Sequence, residues 1–250
     1  RKLLLGSAAL ALSGCKVFVS ASDRDCRLRA LFASHEGLTF RAQRAVIGDR
    51  LAPEFTEADI RQGQRPNGST DPTSPAYRQM AETAFRDYRL TVTGLVDAPQ
   101  SLSLADLAAL PSRTQITRHD CVEGWSCIAR WQGVPLASVL NLAKPKLTAR
   151  YAVFHCFDAI ERSLSGDVFY YESIDLVDAY HPQTILAHAM NGAPLPVANG
   201  APLRLRVERQ LGYKMAKYVH TIELTDSFAG LGLGRGSYWA DRGYEWYAGI

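Results

Sequence analysis

The stretch Arg118–Ser126 constrains the fold of this chain more than any other part of the sequence. Just before it, residues 114–117 alternate polar and apolar side chains, a pattern that is typical of a half-buried strand. Gly124 follows soon after Cys121 and supplies the flexible backbone of a turn. We therefore predict a strand that ends near Cys121, where a thiolate can bind a soft metal or attack a substrate.

Two interpretations of Cys121 are open. A free cysteine usually behaves as a small hydrophobic residue in the core. Here His119, Asp120 and Glu123 surround the cysteine with titratable groups, which are costly to bury without a function. This neighbourhood favours a functional cysteine over a structural one.

The composition indicates a globular protein and gives no sign of nucleic-acid binding. The chain has 250 residues, of which 47% are hydrophobic and 21% charged, so it can bury a substantial core. The net charge is only +3, and Lys and Arg are scattered among acids. Five cysteines are too sparse for a disulfide framework. A disulfide between Cys121 and Cys127 would remove the thiolate, and we predict that it does not form.

Residues 1–15 have the pattern of an export signal. A basic start precedes an apolar run from Leu3 to Leu12, which is too short to span a bilayer. Leu12-Ser13-Gly14-Cys15 is similar to a bacterial lipobox, in which the cysteine carries a lipid; the alternative is a plain signal peptide that is cleaved nearby. With an arginine immediately before Arg1, this would be a twin-arginine signal. We predict a periplasmic protein, either free or anchored through Cys15.

The remaining sequence predicts an α+β fold in which short helices alternate with strands. Residues 22–88 are polar and irregular, with short helices over 56–60 and 74–87. Ser103 and Asp106 form a predicted capping box, and Pro135 opens a further helix. Strands are expected over 89–95, 151–157, 167–176, 203–207 and 218–225, and a helix over 178–190.

The motifs are similar to those of one known family. Cys121-Val122-Glu123-Gly124-Trp125-Ser126 and the run Trp131–Leu136 resemble the cofactor-binding domain of the sulfite oxidase superfamily of molybdopterin enzymes. The similarity continues through 181–184, 199–204 and 212–217, and is closest to the bacterial periplasmic branch that contains the methionine sulfoxide reductase catalytic subunit. It implies a sulfite-oxidase-type molybdopterin-binding fold, with mixed β-sheets and flanking short helices, over residues 89–250. Residues 22–88 would pack over the cofactor.

The resemblance also implies a set of site residues. In this family the cysteine of the motif is a molybdenum ligand, so Cys121 becomes both the metal ligand and the catalytic centre. The family's cofactor contacts fall on Asn199, Arg204 and the segment Met215-Ala216-Lys217. A planar guanidinium suits the phosphate that ends the pterin. The alternative for Arg204 is an ordinary strand arginine, because Arg206 shares its face.

Two further cofactor contacts also have structural alternatives. Asn67 lies in the turn-rich run 66–72, where it either contacts the cofactor or satisfies the backbone of its own turn. Cys156 stands where the family commonly has a threonine that touches the cofactor, and its alternative is core packing. Tyr170–Ser173 and the aromatic tail, Gly230–Ile250, are expected near the mouth of the site.

The function implied by the resemblance is oxygen-atom transfer by an enzyme with a molybdenum–molybdopterin cofactor. Sulfite oxidases carry Ala-Gly-Asn-Arg-Arg after the cysteine, and Val122–Ser126 differs, so we predict reduction of small-molecule or protein S-oxides. The alternatives are oxidation of sulfite or another small anion, and a periplasmic lipoprotein that binds without catalysis. The sequence has no Cys-x-x-Cys-His haem motif, so we expect electrons from a separate partner, such as a membrane haem protein.

Overall fold

The computed structural model describes residues 27–61, 63–163 and 166–250. The predicted export signal, with Cys15, lies outside these residues. The chain divides into two compact units, residues 1–48 and 49–250. In the first unit the structure describes one helix, α1 (Arg27–Ile47), where the sequence analysis wrongly expected irregular chain. None of the described helices has the length and apolarity needed to cross a bilayer.

The second unit contains two five-stranded sheets. The first has the order β2-β1-β10-β5-β6, in which β1 and β10 are parallel and the other pairs antiparallel. Its strands are β1 (Leu90–Gly94), β2 (Gln100–Leu102), β5 (Tyr151–Ser163), β6 (Gly166–Asp175) and β10 (Val219–Thr225). The parallel pair makes this a mixed sheet, as predicted.

The second sheet is antiparallel and carries the cysteine motif. Its order is β3-β4-β7-β8, and β9 pairs with β7. Its strands are β3 (Arg113–Cys121), β4 (Trp125–Pro135), β7 (Ile185–Met190), β8 (Ala193–Pro194) and β9 (Arg204–Arg206). The tight turn between β3 and β4 therefore places Cys121 at one end of the sheet.

The helices of this unit are short, and local sequence signals set where they begin. They are α2 (Pro75–Glu82), α3 (Leu104–Ala108), α4 (Leu136–Ala143) and α5 (Leu176–Ala179), with single 3-10 turns at Glu57–Asp59, Val197–Asn199, Gly212–Lys214 and Ala240–Arg242. The capping box forms as predicted: the Ser103 hydroxyl accepts from Asp106 N at 3.1 Å, and the Asp106 carboxylate accepts from Ser103 N at 2.8 Å. Short helices beside mixed sheets confirm the α+β prediction.

The predicted helix over 178–190 is wrong. The chain is helical only over α5, turns through His181 and Pro182, and then forms β7. Strand β7 pairs with β4, for example Leu186 opposite Val134, and both of these side chains are buried. Pairing with β4 and burial therefore override the helical propensity of this segment. The helix predicted over 74–87 ends at Glu82, because Ala84 and Phe85 just beyond it have φ values of +52° and +59°, which a right-handed helix does not contain.

Candidate active site

The β3–β4 hairpin presents Cys121 at the end of its strand, as the sequence predicted. Cys121 pairs with Trp125 across the hairpin, and Gly124 N donates to Cys121 O at 3.0 Å. Gly124 has a φ of +83°, which a residue with a side chain rarely adopts. Cys121, Cys127 and Cys156 are all free thiols. The turn therefore fixes the Cys121 thiol where the strand stops, at the edge of a cavity.

This cavity has a volume of about 170 Å³. Four of the predicted site residues line it, namely Asn67, Cys121, Met215 and Lys217. The rest of its wall comes from the loop before α2, the β3–β4 turn, strands β5 and β6, the 3-10 turn at Gly212–Lys214, and the C-terminal segment. The remaining lining residues are Gly68, Ser69, Val122, Glu123, Asp158, Ile160, Tyr170, Tyr213, Trp239 and Tyr244.

The surroundings of Cys121 disfavour a bare thiolate. Burial raises the pKa of its thiol, and the nearby Glu123 carboxylate adds to the effect. Reactive cysteines that act alone have the opposite, electropositive environment. A bound metal cation reverses this balance, because a coordinating thiol loses its proton outright. Of the two chemistries that the sequence allows, the site therefore fits metal binding better than direct nucleophilic attack.

His119 lies on the same strand but faces the interior. Its Nδ1 is 2.9 Å from the Arg206 guanidinium and 3.3 Å from the Met215 sulfur. Burial and the nearby arginines hold the pKa of His119 well below its usual range, so the ring is neutral. Because a guanidinium can only donate, Nδ1 accepts and Nε2 carries the proton. His119 thus supports Met215, which lines the cavity, and does not line the cavity itself.

The two acidic neighbours of Cys121 have different places. Asp120 accepts from Arg118 at 2.9 Å and from Ser126 at 2.5 Å, so it braces the hairpin. Glu123 lines the cavity and accepts from Trp125 Nε1 at 2.9 Å. Of the titratable groups that singled out this motif, only Glu123 lies beside Cys121 in the cavity wall.

Arg204 and Asn67 come together from distant parts of the chain. Arg204 donates to Asn199 O at 2.9 Å and to the Asn67 side-chain oxygen at 3.4 Å. The Asn67 side-chain nitrogen donates in turn to Gly212 O at 3.4 Å. Asn67 therefore uses its side chain over a long range and does not merely close its own turn. Arg204 also lies 4.9 Å from the centre of the Trp131 ring.

Arg204 and Lys217 are buried cations whose hydrogen bonds go to neutral oxygen atoms. Lys217 donates to Ser69 O and to Ala198 O, the latter at 3.0 Å. Burial, with the charge of Arg204, lowers the pKa of Lys217 to about 7. Within the described residues neither cation forms an ion pair with a carboxylate, whereas Arg206 binds Glu208 at 2.6 Å. A buried positive charge of this kind is costly unless an anion joins it.

Unsatisfied polar atoms mark the same region. In the described part of the chain, His119 Nε2, Arg204 Nε and Asn199 Nδ2 are buried donors without a hydrogen-bond partner, and Asp158 Oδ1 is a buried acceptor without one. Native structures leave few such groups unpaired, and those that remain commonly meet a ligand or water. Three donors and one acceptor here indicate a polar ligand.

Four predicted site residues do not line the cavity: Asn199 and Arg204, which join Asn67 as described above, and Cys156 and Ala216. Cys156 is fully buried in the hydrophobic core, where its sulfur lies 3.8 Å from Phe154 O. This placement agrees with its core-packing alternative. Ala216 is also buried and accepts from Leu205 N at 2.7 Å, so it joins the loop before β10 to β9. The structure brings Asn67, Asn199, Arg204 and Lys217 together, and Met215 and Lys217 into the cavity wall with Cys121.

The sequence analysis missed Asp158. It follows the predicted strand over 151–157, is only 4% exposed, and accepts from Ser69 Oγ at 2.7 Å. Burial raises the pKa of its carboxyl to about 6. An acid at the end of a nearly all-apolar strand was a usable signal, because such a group is rarely buried without a role.

Comparison with known proteins gives a consistent result. Residues 77–229 match the oxidoreductase molybdopterin binding domain. A putative protein-methionine-sulfoxide reductase subunit YedZ1 of Azospira oryzae is 40% identical over 256 aligned residues, which cover 100% of this chain and 85% of that protein. The protein-methionine-sulfoxide reductase catalytic subunit MsrP of Ralstonia nicotianae is 35% identical over 63% of this chain.

The chain spans 49% of that Ralstonia protein, about half its length. Among solved structures, the sulfane dehydrogenase SoxCD from Paracoccus pantotrophus is similar, with a TM-score of 0.50 at 24% identity over 56% of this chain and 39% of the other. At this level of identity the likeness concerns the fold alone.

Proposed function

We propose a function from the premise that this chain belongs to the oxidoreductase molybdopterin binding domain family. The family match confirms the predicted family and fold, and with them an enzyme with a molybdenum–molybdopterin cofactor. Our proposal is that the enzyme transfers an oxygen atom and reduces S-oxides. The names of the Azospira and Ralstonia relatives, both methionine sulfoxide reductase components, support this direction.

The observation that carries the proposal is the pair of buried cations, Arg204 and Lys217, neither of which forms an ion pair among the described residues. Lys217 lines the same cavity as Cys121, and Arg204 lies close enough to lower the pKa of Lys217. Gly200 packs closely against the stems of both side chains, because a Cβ there would lie 3.0 Å from Lys217 Cβ and 3.1 Å from Arg204 Cβ. An anion such as the terminal phosphate of the pterin would offset their burial. We assign this phosphate to Arg204 and Lys217, further polar contacts to Asn67 and Asn199, and the metal to Cys121.

When bound, the cofactor supplies a metal centre that exchanges an oxygen atom and two electrons with the substrate. The charges of the chain's own residues then decide which substrates can approach the metal. Glu123 and Asp158 both line the cavity with Cys121, and Lys217 is the sole cation among the described lining residues. A small anion such as sulfite would be repelled by the two carboxylates, whereas a neutral S-oxide would not. This charge balance supports S-oxide reduction over sulfite oxidation.

Reduction of an S-oxide to a thioether and water takes up two protons. Asp158 is placed to hold one of them at Oδ1, which has no hydrogen-bond partner among the described residues. Because burial raises the pKa of this carboxyl to about 6, it is partly protonated near neutral pH. Its second oxygen is fixed by Ser69 at 2.7 Å, which orients the carboxyl in the cavity wall.

The test compares Cys121→Ser with Cys127→Ser. Both thiols are free and belong to the same hairpin, but only Cys121 lines the cavity. We expect stoichiometric molybdenum and pterin in the wild type and in Cys127→Ser, with S-oxide-dependent oxidation of a reduced viologen dye. Cys121→Ser should lose turnover and change the metal spectrum. If the protein transferred electrons from sulfite and reduced no S-oxide, the proposed direction of the reaction would be wrong. If it contained no metal after expression in a host that loads molybdenum enzymes, the proposal that it is a molybdenum enzyme would be wrong.

We further propose that the protein works in the periplasm and receives electrons from a separate membrane haem protein. The export pattern of residues 1–15 supports the location, and the Azospira relative is named a subunit. Labelling with a radioactive fatty acid tests whether a lipid on Cys15 anchors the protein, since the label should enter the wild type and not Cys15→Ser. The electron partner is tested with isolated membranes whose haem has been reduced. Adding the purified enzyme and an S-oxide should reoxidise the haem, and the absence of reoxidation would refute a haem partner.

A further inference from the structure

The C-terminal segment, residues 230–250, brings two aromatic side chains to the cavity. Trp239 and Tyr244 line it, and both lie beyond residue 229, where the family match ends. These two side chains therefore lie outside the matched domain and need a separate explanation.

Trp239 and Tyr244 belong to one continuous aromatic surface. Their ring centres are 5.0 Å apart, and the ring of Tyr244 lies 5.4 Å from that of Tyr213. Tyr213 also lines the cavity, and its backbone oxygen accepts from Tyr170 Oη at 2.5 Å. We call Tyr170, Tyr213, Trp239 and Tyr244 the aromatic wall. All four line the same cavity as Cys121, so an apolar surface lies within the space that holds the reactive centre.

The segment holds this wall in place by contacts to strand β6. The Asp241 carboxylate accepts from Tyr171 Oη at 2.5 Å and from two backbone amides of the same segment at 2.9 and 3.2 Å. Further along, Trp246 Nε1 donates to Ser173 Oγ at 2.8 Å. One anchor lies on each side of Tyr244. The rings are therefore preorganised, which reduces the entropy that a ligand must remove on binding.

The aromatic wall borders solvent. Tyr244 is 41% exposed and Val122, next to Cys121, is 47% exposed, although both line the cavity. The polar part of the lining is a different and connected set, in which Ser69 links Asp158 and Lys217 by hydrogen bonds. A polar cofactor suits this set of polar residues, whereas a molecule that enters from solvent meets the aromatic wall.

Resting on the proposed function, we propose that the aromatic wall selects the substrate by binding the alkyl or aryl groups of a neutral organic S-oxide. Aromatic faces bind apolar groups and sulfur well, and they give an inorganic oxyanion nothing in return for its lost hydration. Trp239 and Tyr244 are thus specificity-determining residues, and the preferred substrates are S-oxides with large apolar substituents.

The test uses the molybdenum-loaded enzyme with Trp239→Leu and Tyr244→Leu. Leucine keeps an apolar side chain and removes the ring. Because Tyr244 is exposed, its variant remains informative even if Trp239→Leu folds poorly. The matched control is Tyr180→Leu, because Tyr180 is 40% exposed, much as Tyr244 is, but follows α5 and does not line the cavity.

Two measurements decide the matter. For methyl phenyl sulfoxide we expect KM to rise about tenfold with kcat little changed, as the loss of one well-placed aromatic contact predicts. The preference for methyl phenyl sulfoxide over dimethyl sulfoxide should fall. The dissociation constant of methyl phenyl sulfone, the dioxide analogue of that substrate, should rise by a similar factor in calorimetry with no electron donor present. Tyr180→Leu should match the wild type in both assays.

The possible failures are distinct. Unchanged KM and sulfone affinity in both wall variants, with S-oxide turnover intact, would overturn the aromatic wall and leave the proposed function standing. Loss of pterin or molybdenum from Tyr244→Leu would assign the wall to the cofactor and also overturn the inference. If the wild type reduced no S-oxide, the proposed function would fail. In that case the inference about the aromatic wall would fail as well if the sulfone did not bind, or if it bound equally to the wild type and the variants.

Discussion

Replacing Gly212 with alanine tests how the loop before β10 fits over the hairpin that carries Cys121. An ideal Cβ on Gly212 would lie 2.4 Å from His119 Nε2 and 2.5 Å from its Cε1. Ordinary contacts of this kind begin near 3.4 Å, so the two groups must separate by about 1 Å. His119 cannot easily retreat, because Arg206 and Met215 hold its other nitrogen.

The expected loss of stability follows from that geometry. Overpacking a closed site destabilises a protein by about 1–3 kcal/mol, and breaking a hydrogen bond to a charged group costs about 1.5–3 kcal/mol. Either the alanine stays overpacked against the ring, or the ring moves and loses its hydrogen bond to Arg206, so the two costs do not add in full. We therefore expect Gly212→Ala to lower the free energy of unfolding by about 2 kcal/mol. For a protein of this size that corresponds to a fall in Tm of about 4–8 °C.

Urea unfolding of the second unit within the full chain measures this effect. The control is Gly230→Ala, where a Cβ would meet nothing within 4 Å, and it should change stability little. In a His119→Ala background the clash is gone, so Gly212→Ala should become nearly neutral. Equal stability of Gly212→Ala and Gly230→Ala, or an unchanged effect without the His119 ring, would refute the packing described here.

Three other changes have clear expected outcomes. Ser103→Ala removes the cap of α3 and should destabilise by about 1 kcal/mol in urea; no loss would mean that the cap of this exposed helix is dispensable. Glu172→Gln leaves the Lys214 cation buried without its charged partner and should lower the free energy of unfolding by about 3–5 kcal/mol. Adding Lys214→Met should recover much of this loss, and an unchanged stability of the single variant would contradict the pairing. The pKa of Asp158 is raised from 3.8 to about 6, so its stabilising contribution is complete below pH 3.8 and is lost as pH rises through 6. Asp158→Asn should therefore gain stability relative to the metal-free wild type between pH 4.5 and 7.5, by up to about 2 kcal/mol, and a pH-independent difference in unfolding free energy would argue against it.

Much of the site's framework could be read from local sequence. The alternation before Cys121 and the glycine after it predict β3 and the turn that ends it, because strand periodicity and turn preference act over a few residues. The partner strand β4 was not predicted. The capping box at Ser103 is equally local. The helix predicted over 178–190 failed because a segment's secondary structure depends on its neighbours, and β4 offered this one a place in a sheet.

What the sequence determined by itself was the place of Cys121 at the end of a strand, the family and the α+β class, since these depend on motifs and on residue periodicity. Only the tertiary structure decided which residues share the cavity. It placed Asp158 and the rings of Trp239 and Tyr244 with Cys121, and it left Cys156 in the core. These partners lie far apart in the chain, and no local pattern fixes how two sheets and a C-terminal segment close around one space. Burial then set the charges, because the pKa of a carboxyl or an amine depends on the water and partners that the fold removes or supplies.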